Sequence, residues 1–78
     1  MNAADRFIDC RGVRCPIPVI RLAREIREIA VGAVIAIAAD DRAAAADIPA
    51  WCRMQGQEYI GSEPDTDGTP VFTVRRSR

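Results

Sequence analysis

The reactive side chains of this 78-residue chain are three cysteines, eleven arginines, eleven carboxylates, one tyrosine and a few hydroxyls. Histidine and lysine are absent. That removes the usual general base, the commonest metal ligand, and any Schiff-base or phosphate-cradling lysine. Ser62 and Ser77 are the only serines, and without histidine neither has a conventional activator. Attention falls on Cys10, Cys15 and Cys52. Three cysteines cannot all pair within one chain, and their spacing matches neither CxxC nor a zinc pattern. Neither a metal nor a cofactor is expected. Cys15 stands in the most informative segment, Asp9-Cys-Arg-Gly-Val-Arg-Cys-Pro-Ile-Pro18.

The two prolines set the expected local geometry. Pro16 pushes Cys15 out of the helical region toward the extended angles that a helix cap adopts. On this reading Cys15 caps a helix, Pro16 is its first residue and Pro18 its third, with Gly12 marking the turn before it. Two of the orphan N–H groups of the first turn are then missing, and the sulfur faces the N–H of Ile17. The positive end of the helix dipole, together with Arg11 and Arg14, favours thiolate over thiol, so a lowered pKa is predicted for Cys15. An activated sulfur without a base suits thiol–disulfide or thiol–persulfide exchange, which requires only a thiolate and a sulfur leaving group. Acyl transfer and hydrolysis require more than these residues supply.

The elements that must position this cysteine are legible in the pattern around it. Met1–Asp5 reads as a frayed start and Arg6–Cys10 as a short strand. From Pro16 the apolar residues Val19, Leu22, Ala23, Ile26, Ile29 and Ala30 recur at helical spacing, with Gly32 as a stop, giving a helix of about 21 Å. Ala33–Ala39 is a continuous apolar run suited to a buried central strand. The run Ala43–Ala46 favours helix by propensity, and Asp47-Ile-Pro-Ala reads as a fresh start with Asp47 as cap and Pro49 in the first turn, so one helix, kinked or stepped there, runs to Gln55 and stops at Gly56. Gln57–Glu63 and Pro70–Arg76 read as a hairpin around Asp65-Thr-Asp-Gly68. The order is βαβαββ, an α/β arrangement in one domain over residues 1–78, since chains divide only well beyond this length.

Charge balances overall, with eleven arginines against eleven acids. Between Arg11 and Arg24 there are four arginines (Arg11, Arg14, Arg21, Arg24) and no acid. These first make a solvated helix face, with Arg21–Glu25 and Arg24–Glu28 pairs at i,i+4 spacing. They can also steer an acidic partner toward the sulfur. Asp40 and Asp41 end the central strand, cap the next helix, and offer an acidic rim to a partner. The basic end at Arg75, Arg76 and Arg78 has no aromatic interleaving, so direct nucleic-acid binding is not expected. The longest apolar run is far too short to span a bilayer. Few cysteines and no secretory leader point to a reducing, cytoplasmic setting. A monomer is expected.

Cys15-Pro-Ile-Pro resembles the CPxP signature of the TusA/SirA sulfur-carrier family, and the chain is closest to its TusA branch. The similarity covers essentially the whole chain. It includes Arg-Cys-Pro-x-Pro-Val at 14–19, the glycine-then-apolar strand at 32–38, Ala-Asp-Asp at 39–41, Asp-Ile-Pro at 47–49, Cys52, Glu63, Asp67-Gly68 and Val74-Arg75. The resemblance implies a two-layer α/β sandwich, with a four-stranded mixed sheet carrying both helices on one face. It also implies that Cys15 accepts a sulfane sulfur as a persulfide from a cysteine desulfurase or rhodanese-like donor and passes it to an acceptor protein. Such a relay ends in 2-thiouridine on tRNA or serves another sulfur route, and no independent turnover is expected of the carrier. Gly12, Arg14, Pro16, Ile17 and Pro18 would support the sulfur. Ile17 occupies the x position, where the tRNA-thiolation branch carries glutamate, and Cys10 stands where that branch has another residue. The alternative is a thiol redox or regulatory module in which Cys15 works with Cys10.

Overall fold

A computed structural model describes residues 4–78. Strand β1 is Arg6–Cys10, helix α1 Ile17–Glu25, strand β2 Val34–Ala39, helix α2 Ala44–Gln55, strand β3 Glu58–Pro64 and strand β4 Pro70–Arg75. A 3₁₀ turn over Ile26–Glu28 follows α1. The strands form one mixed sheet in the order β1-β2-β4-β3, with β1 parallel to β2 and the other pairings antiparallel. The predicted frayed start at residues 1–3 lies outside the described residues. Asp5 is not frayed: its N–H donates to the Val34 carbonyl at 2.8 Å, and its carboxylate accepts the Val34 N–H at 2.8 Å.

The apolar run places β2 in the middle, where every residue from Ile35 to Ala39 is buried. Alternation does the rest. Ile8 lies beside Ile37 across the parallel pair, and Ile35 and Ile37 face Val74 and Phe72 across the antiparallel one. These side chains join Leu22, Ile26, Ala44, Ile48 and Cys52 from the helical layer in a single core, so both helices cover the same sheet face. Each buried Ile or Leu contributes about 1.5–3 kcal/mol relative to exposure.

Two details at the helix ends differ from the sequence reading. The first helix was expected to reach Ala30, yet it tightens to 3₁₀ at Ile26, and Ile29 is already extended. β-Branched Ile26 and Ile29 favour helix weakly. The freed carbonyl of Ile29 accepts the Arg76 guanidinium at 2.6 Å, so the end is capped from the far terminus. Glu28 consequently turns to Arg6, and Arg24 loses its expected partner. The second helix is one element from Ala44 to Gln55 with the alanine run included, as its propensity predicts, but Asp47 is not a cap: the cap position belongs to Ala43. Asp47 therefore lies in its first turn. At the other end Gly56 behaves as expected: left-handed at φ 71°, it donates its N–H to the Cys52 carbonyl.

Candidate functional site

Parallel neighbours β1 and β2 end side by side, with Cys10 opposite Ala39. The loops leaving them, residues 11–16 and 40–43, therefore lie together at the carboxyl ends of the strands, where open α/β sheets build their sites. The first loop carries Cys15 and the second carries the paired aspartates. Its course is set by a sequence of hydrogen bonds. The Arg11 N–H donates to Asp9 Oδ1 at 3.0 Å, and the Val13 N–H closes a turn on the Cys10 carbonyl at 3.2 Å. Gly12 sits third in that turn at φ 75°, the position that calls for glycine in a type II turn. A Cβ there would meet nothing within 4 Å, so the requirement is conformational rather than steric.

The aspartates act as a clasp on this loop. The Gly12 N–H donates to both oxygens of the Asp40 carboxylate at 3.0 Å. The Cys15 N–H donates to Asp41 Oδ2 at 2.8 Å, while Asp41 Oδ1 accepts the Ala43 N–H at 3.0 Å. Asp41 thus serves the cysteine loop and the start of α2 at once. These two backbone donors hold its carboxyl below the ordinary aspartate range, the Ala43 bond most strongly.

Cys15 is not the cap of α1. The cap position belongs to Pro16, at φ −91° and ψ 11°, and Pro18 is the second helical residue. The Cys15–Pro16 peptide is cis. The Ile17 N–H, expected to face the sulfur, instead donates to the Arg14 carbonyl at 3.0 Å. The thiol lies one residue outside the helix, half-buried, with its flank against the core. Its pKa is raised, opposite to the prediction: partial burial is the main cause, followed by the charges of Asp47 and Asp41. The sequence reading placed Asp47 correctly near the start of the second helix but not beside the sulfur. Two loops converging at adjacent strand ends were the available signal for it.

The arginines divide. Arg11 is surrounded by Asp9 at 3.1 Å, Asp67 at 3.0 Å and Asp65. Arg21 pairs with Glu25 at 3.3 Å and covers the Cys10 sulfur at 4.0 Å. Arg14 and Arg24 are exposed and make no ion pair among the described residues. The uniform basic patch read from the sequence is therefore two exposed cations and two engaged ones. Beside Cys15, Pro16 is exposed, and Ile17 and Ile20 are 49% and 50% exposed, giving α1 an outward apolar edge. Pro18 faces the other way and is buried.

Cys10 and Cys52 are free thiols enclosed in the core. Burial raises both, Cys52 to about 11. Cys10 fills the end of β1 as a small apolar residue does. No helix among the described residues is long and apolar enough to cross a membrane.

A mixed sheet under two helices is the fold of a SirA-like protein of Desulfitobacterium hafniense. That structure matches 94% of this chain and 99% of its own with a TM-score of 0.80 at 23% identity, a likeness of fold. The family model described as sulfurtransferase TusA matches residues 6–76. The chain belongs to the TusA family. The sulfur carrier protein TusA of Pseudomonas entomophila is 35% identical over 72 residues, covering 92% of this chain and 89% of the relative. An Archaeoglobus fulgidus protein is 43% identical, covering 87% and 88%. YrkF of Bacillus subtilis is 32% identical over 83% of this chain, which spans only 35% of YrkF. The last two are named provisionally as sulfur carrier proteins.

Proposed function

We propose that the protein is a sulfur carrier that holds a sulfane sulfur as a persulfide on Cys15. The observation that carries this reading is that Cys15, alone among three cysteines, reaches the surface, and does so within the CPxP segment of a TusA-family chain. The Cys15 thiolate attacks the outer sulfur of a donor persulfide. That sulfur's bond to the donor cysteine breaks, the donor leaves as a thiolate, and Cys15 becomes the persulfide. The reverse geometry at an acceptor cysteine discharges it. No oxyanion hole, metal or base is needed, in keeping with a chain that lacks histidine and lysine.

The donor is a cysteine desulfurase or a rhodanese-like protein, the acceptor a protein of tRNA 2-thiouridine synthesis or another sulfur route, and the setting the cytoplasm. Direct nucleic-acid contact plays no part, and the carrier works as a monomer. Gly12 and Pro18 shape the loop. Arg14, Arg24, Pro16 and Ile17 present a mixed apolar and cationic edge to the partner. Asp40 and Asp41, already engaged with backbone donors, serve the carrier by holding the loop. Incubation with a rhodanese and thiosulfate, or a desulfurase and cysteine, followed by intact mass measurement, should show a gain of one sulfur atom. The gain should vanish in Cys15→Ser and persist in Cys52→Ser. No gain from either donor class overturns the reading.

A further inference from the structure

Arg11 was expected at the surface as a steering charge. Instead each of its guanidinium nitrogens meets a different carboxylate: Nε donates to Asp67 at 3.0 Å, Nη1 pairs with Asp9 at 3.1 Å, and Nη2 donates to Asp65. Asp65 and Asp67 belong to the turn between β3 and β4, more than fifty residues away in sequence. That turn orders its own acids. Asp67 Oδ1 accepts the Thr69 N–H at 2.9 Å, Asp65 Oδ1 accepts the Thr66 N–H at 2.8 Å, and the Asp65 N–H donates to the Thr69 carbonyl at 2.8 Å. Bonds within the turn thus orient Asp65 and Asp67 as well as the contacts to Arg11 do, and a planar fork with five donors fits the carboxylates in a way lysine's point charge cannot.

The position of Arg11 in the chain gives the cluster its consequence. It is the first residue after β1, it adjoins Gly12 on the Asp40 clasp, and it opens the loop that ends at Cys15 on the Asp41 clasp. We propose that Arg11 is a positioning residue for sulfur transfer, tying the β3–β4 turn to the Cys15 loop so that the sulfur is presented in one place. This rests on the reading of Cys15 as the sulfur-carrying residue. Without Arg11, three carboxylates face one another beside the loop with no cation among them. Their repulsion pushes the turn away and loosens the clasps at Gly12 and Cys15. Arg11 does not touch the reacting sulfur and acts only through the loop.

The test compares wild type, Arg11→Ala, Arg11→Lys, Asp67→Asn and the Arg11→Ala/Asp67→Asn double variant. Two readouts are used: amide hydrogen exchange at Gly12 and Cys15, and single-turnover sulfur loading from a thiosulfate-charged rhodanese over a range of rhodanese concentrations. In Arg11→Ala, exchange at those two amides should rise and loading at saturating rhodanese should fall, each about two- to thirty-fold, the range of couplings between neighbouring elements. Exchange in β2 and α2 should stay unchanged, as should the half-saturating rhodanese concentration. Arg11→Lys should recover part of the loss, and Asp67→Asn should lose part of the rate but add nothing to Arg11→Ala. A defect confined to half-saturation and abolished by salt would overturn the proposal, making Arg11 a docking residue. Unchanged exchange at Gly12 and Cys15, or full additivity in the double variant, would overturn it too. Should Arg11→Ala fail to fold, Arg11→Lys and Asp67→Asn carry the same comparison. If wild type takes no sulfur, the carrier reading fails, while the exchange measurement still decides the role of Arg11.

Discussion

Cys15 and Cys52 are the same residue type in the same small molecule, and their surroundings make them different chemical groups. Cys52 sits on the inner face of α2, 1% exposed, where apolar packing alone pushes its thiol up to about 11. Cys15 lies on a loop, half-buried, where carboxylates join burial in raising the thiol. One is held by side-chain packing; the other donates its backbone N–H to Asp41, in a loop whose Gly12 N–H is held by Asp40. A helix buries its cysteine as a consequence of periodicity. A loop can expose one only if something else fixes it, and here polar tethers from the adjacent strand end do so.

The widest separation between the two should appear in native alkylation with iodoacetamide. Cys15 reacts from the folded state, while Cys52 and Cys10 react only through opening. A domain stable by about 5 kcal/mol protects core groups by more than about a thousand-fold. Comparable labelling of Cys15 and Cys52, read by peptide mapping, would erase the distinction. Next in size is Leu22→Ala, which leaves a cavity at a fully buried position of α1 and should cost about 2–5 kcal/mol. Thermal unfolding measures the loss, and the alkylation rate of Cys15 below the transition should stay near wild type, because the loop is held by a different set of bonds.

A finer comparison isolates the tether. Asp41 accepts from Cys15 with one oxygen and from Ala43 with the other. Asp41→Asn replaces one acceptor with a donor, so one bond must break, and hydrogen exchange at Cys15 or Ala43 should rise about ten-fold. The pH dependence follows the same logic. The Asp41 carboxyl lies below its ordinary value near 3.8 in the folded protein. Asp67, held down first by its Thr69 backbone bond and then by Arg11, lies at about 2. Stability from both is fully present above the unfolded value and is lost only as pH falls through the folded one. The Cys15 amide, held by Asp41, should stay protected at pH 4 and lose protection toward pH 2. Loss of protection between pH 6 and 5 would contradict the carboxylate clasp.

How far the sequence reaches follows the same division between packing and tethers. The four strands and both helices were legible because their apolar periodicities are long enough to read, and Gly56 stops α2 where a C-terminal glycine should. The start of α1 just after Cys15 was legible because Pro16 and Pro18 follow it. The other helix ends were not. The cap of α2 fell to Ala43 rather than to Asp47, and the Arg76 side chain, from the opposite end of the chain, capped the region where α1 tightens. Nor were the roles of the charges, which depend on which loops become neighbours in space. Asp40 and Asp41 read as a cap and a rim became the clasp, and Arg11 read as a steering charge became the centre of a carboxylate cluster. Proximity across a parallel strand pair leaves no local pattern to read.

The smallest expected effect tests the least legible residue. Asp47 lies exposed in the first turn of α2, and after burial its charge is the next cause that holds the proton on Cys15. The helix dipole and Arg14 act in the opposite sense, yet the dipole weakens quickly beyond the first turn and Arg14 stands free in solvent. Asp47→Asn keeps the shape, removes the charge and replaces one acceptor with a donor. The midpoint of Cys15 alkylation against pH should then move down toward the ordinary thiol value, raising the rate at neutral pH by up to about five-fold, as removal of one nearby charge in a water-like dielectric allows. Burial remains the larger cause, so the midpoint should not fall below the ordinary value. A midpoint that stays in place would show that burial alone sets the thiol. One that falls well below the free-cysteine value would show the dipole and Arg14 to be the stronger influences, restoring the activation first read from the sequence.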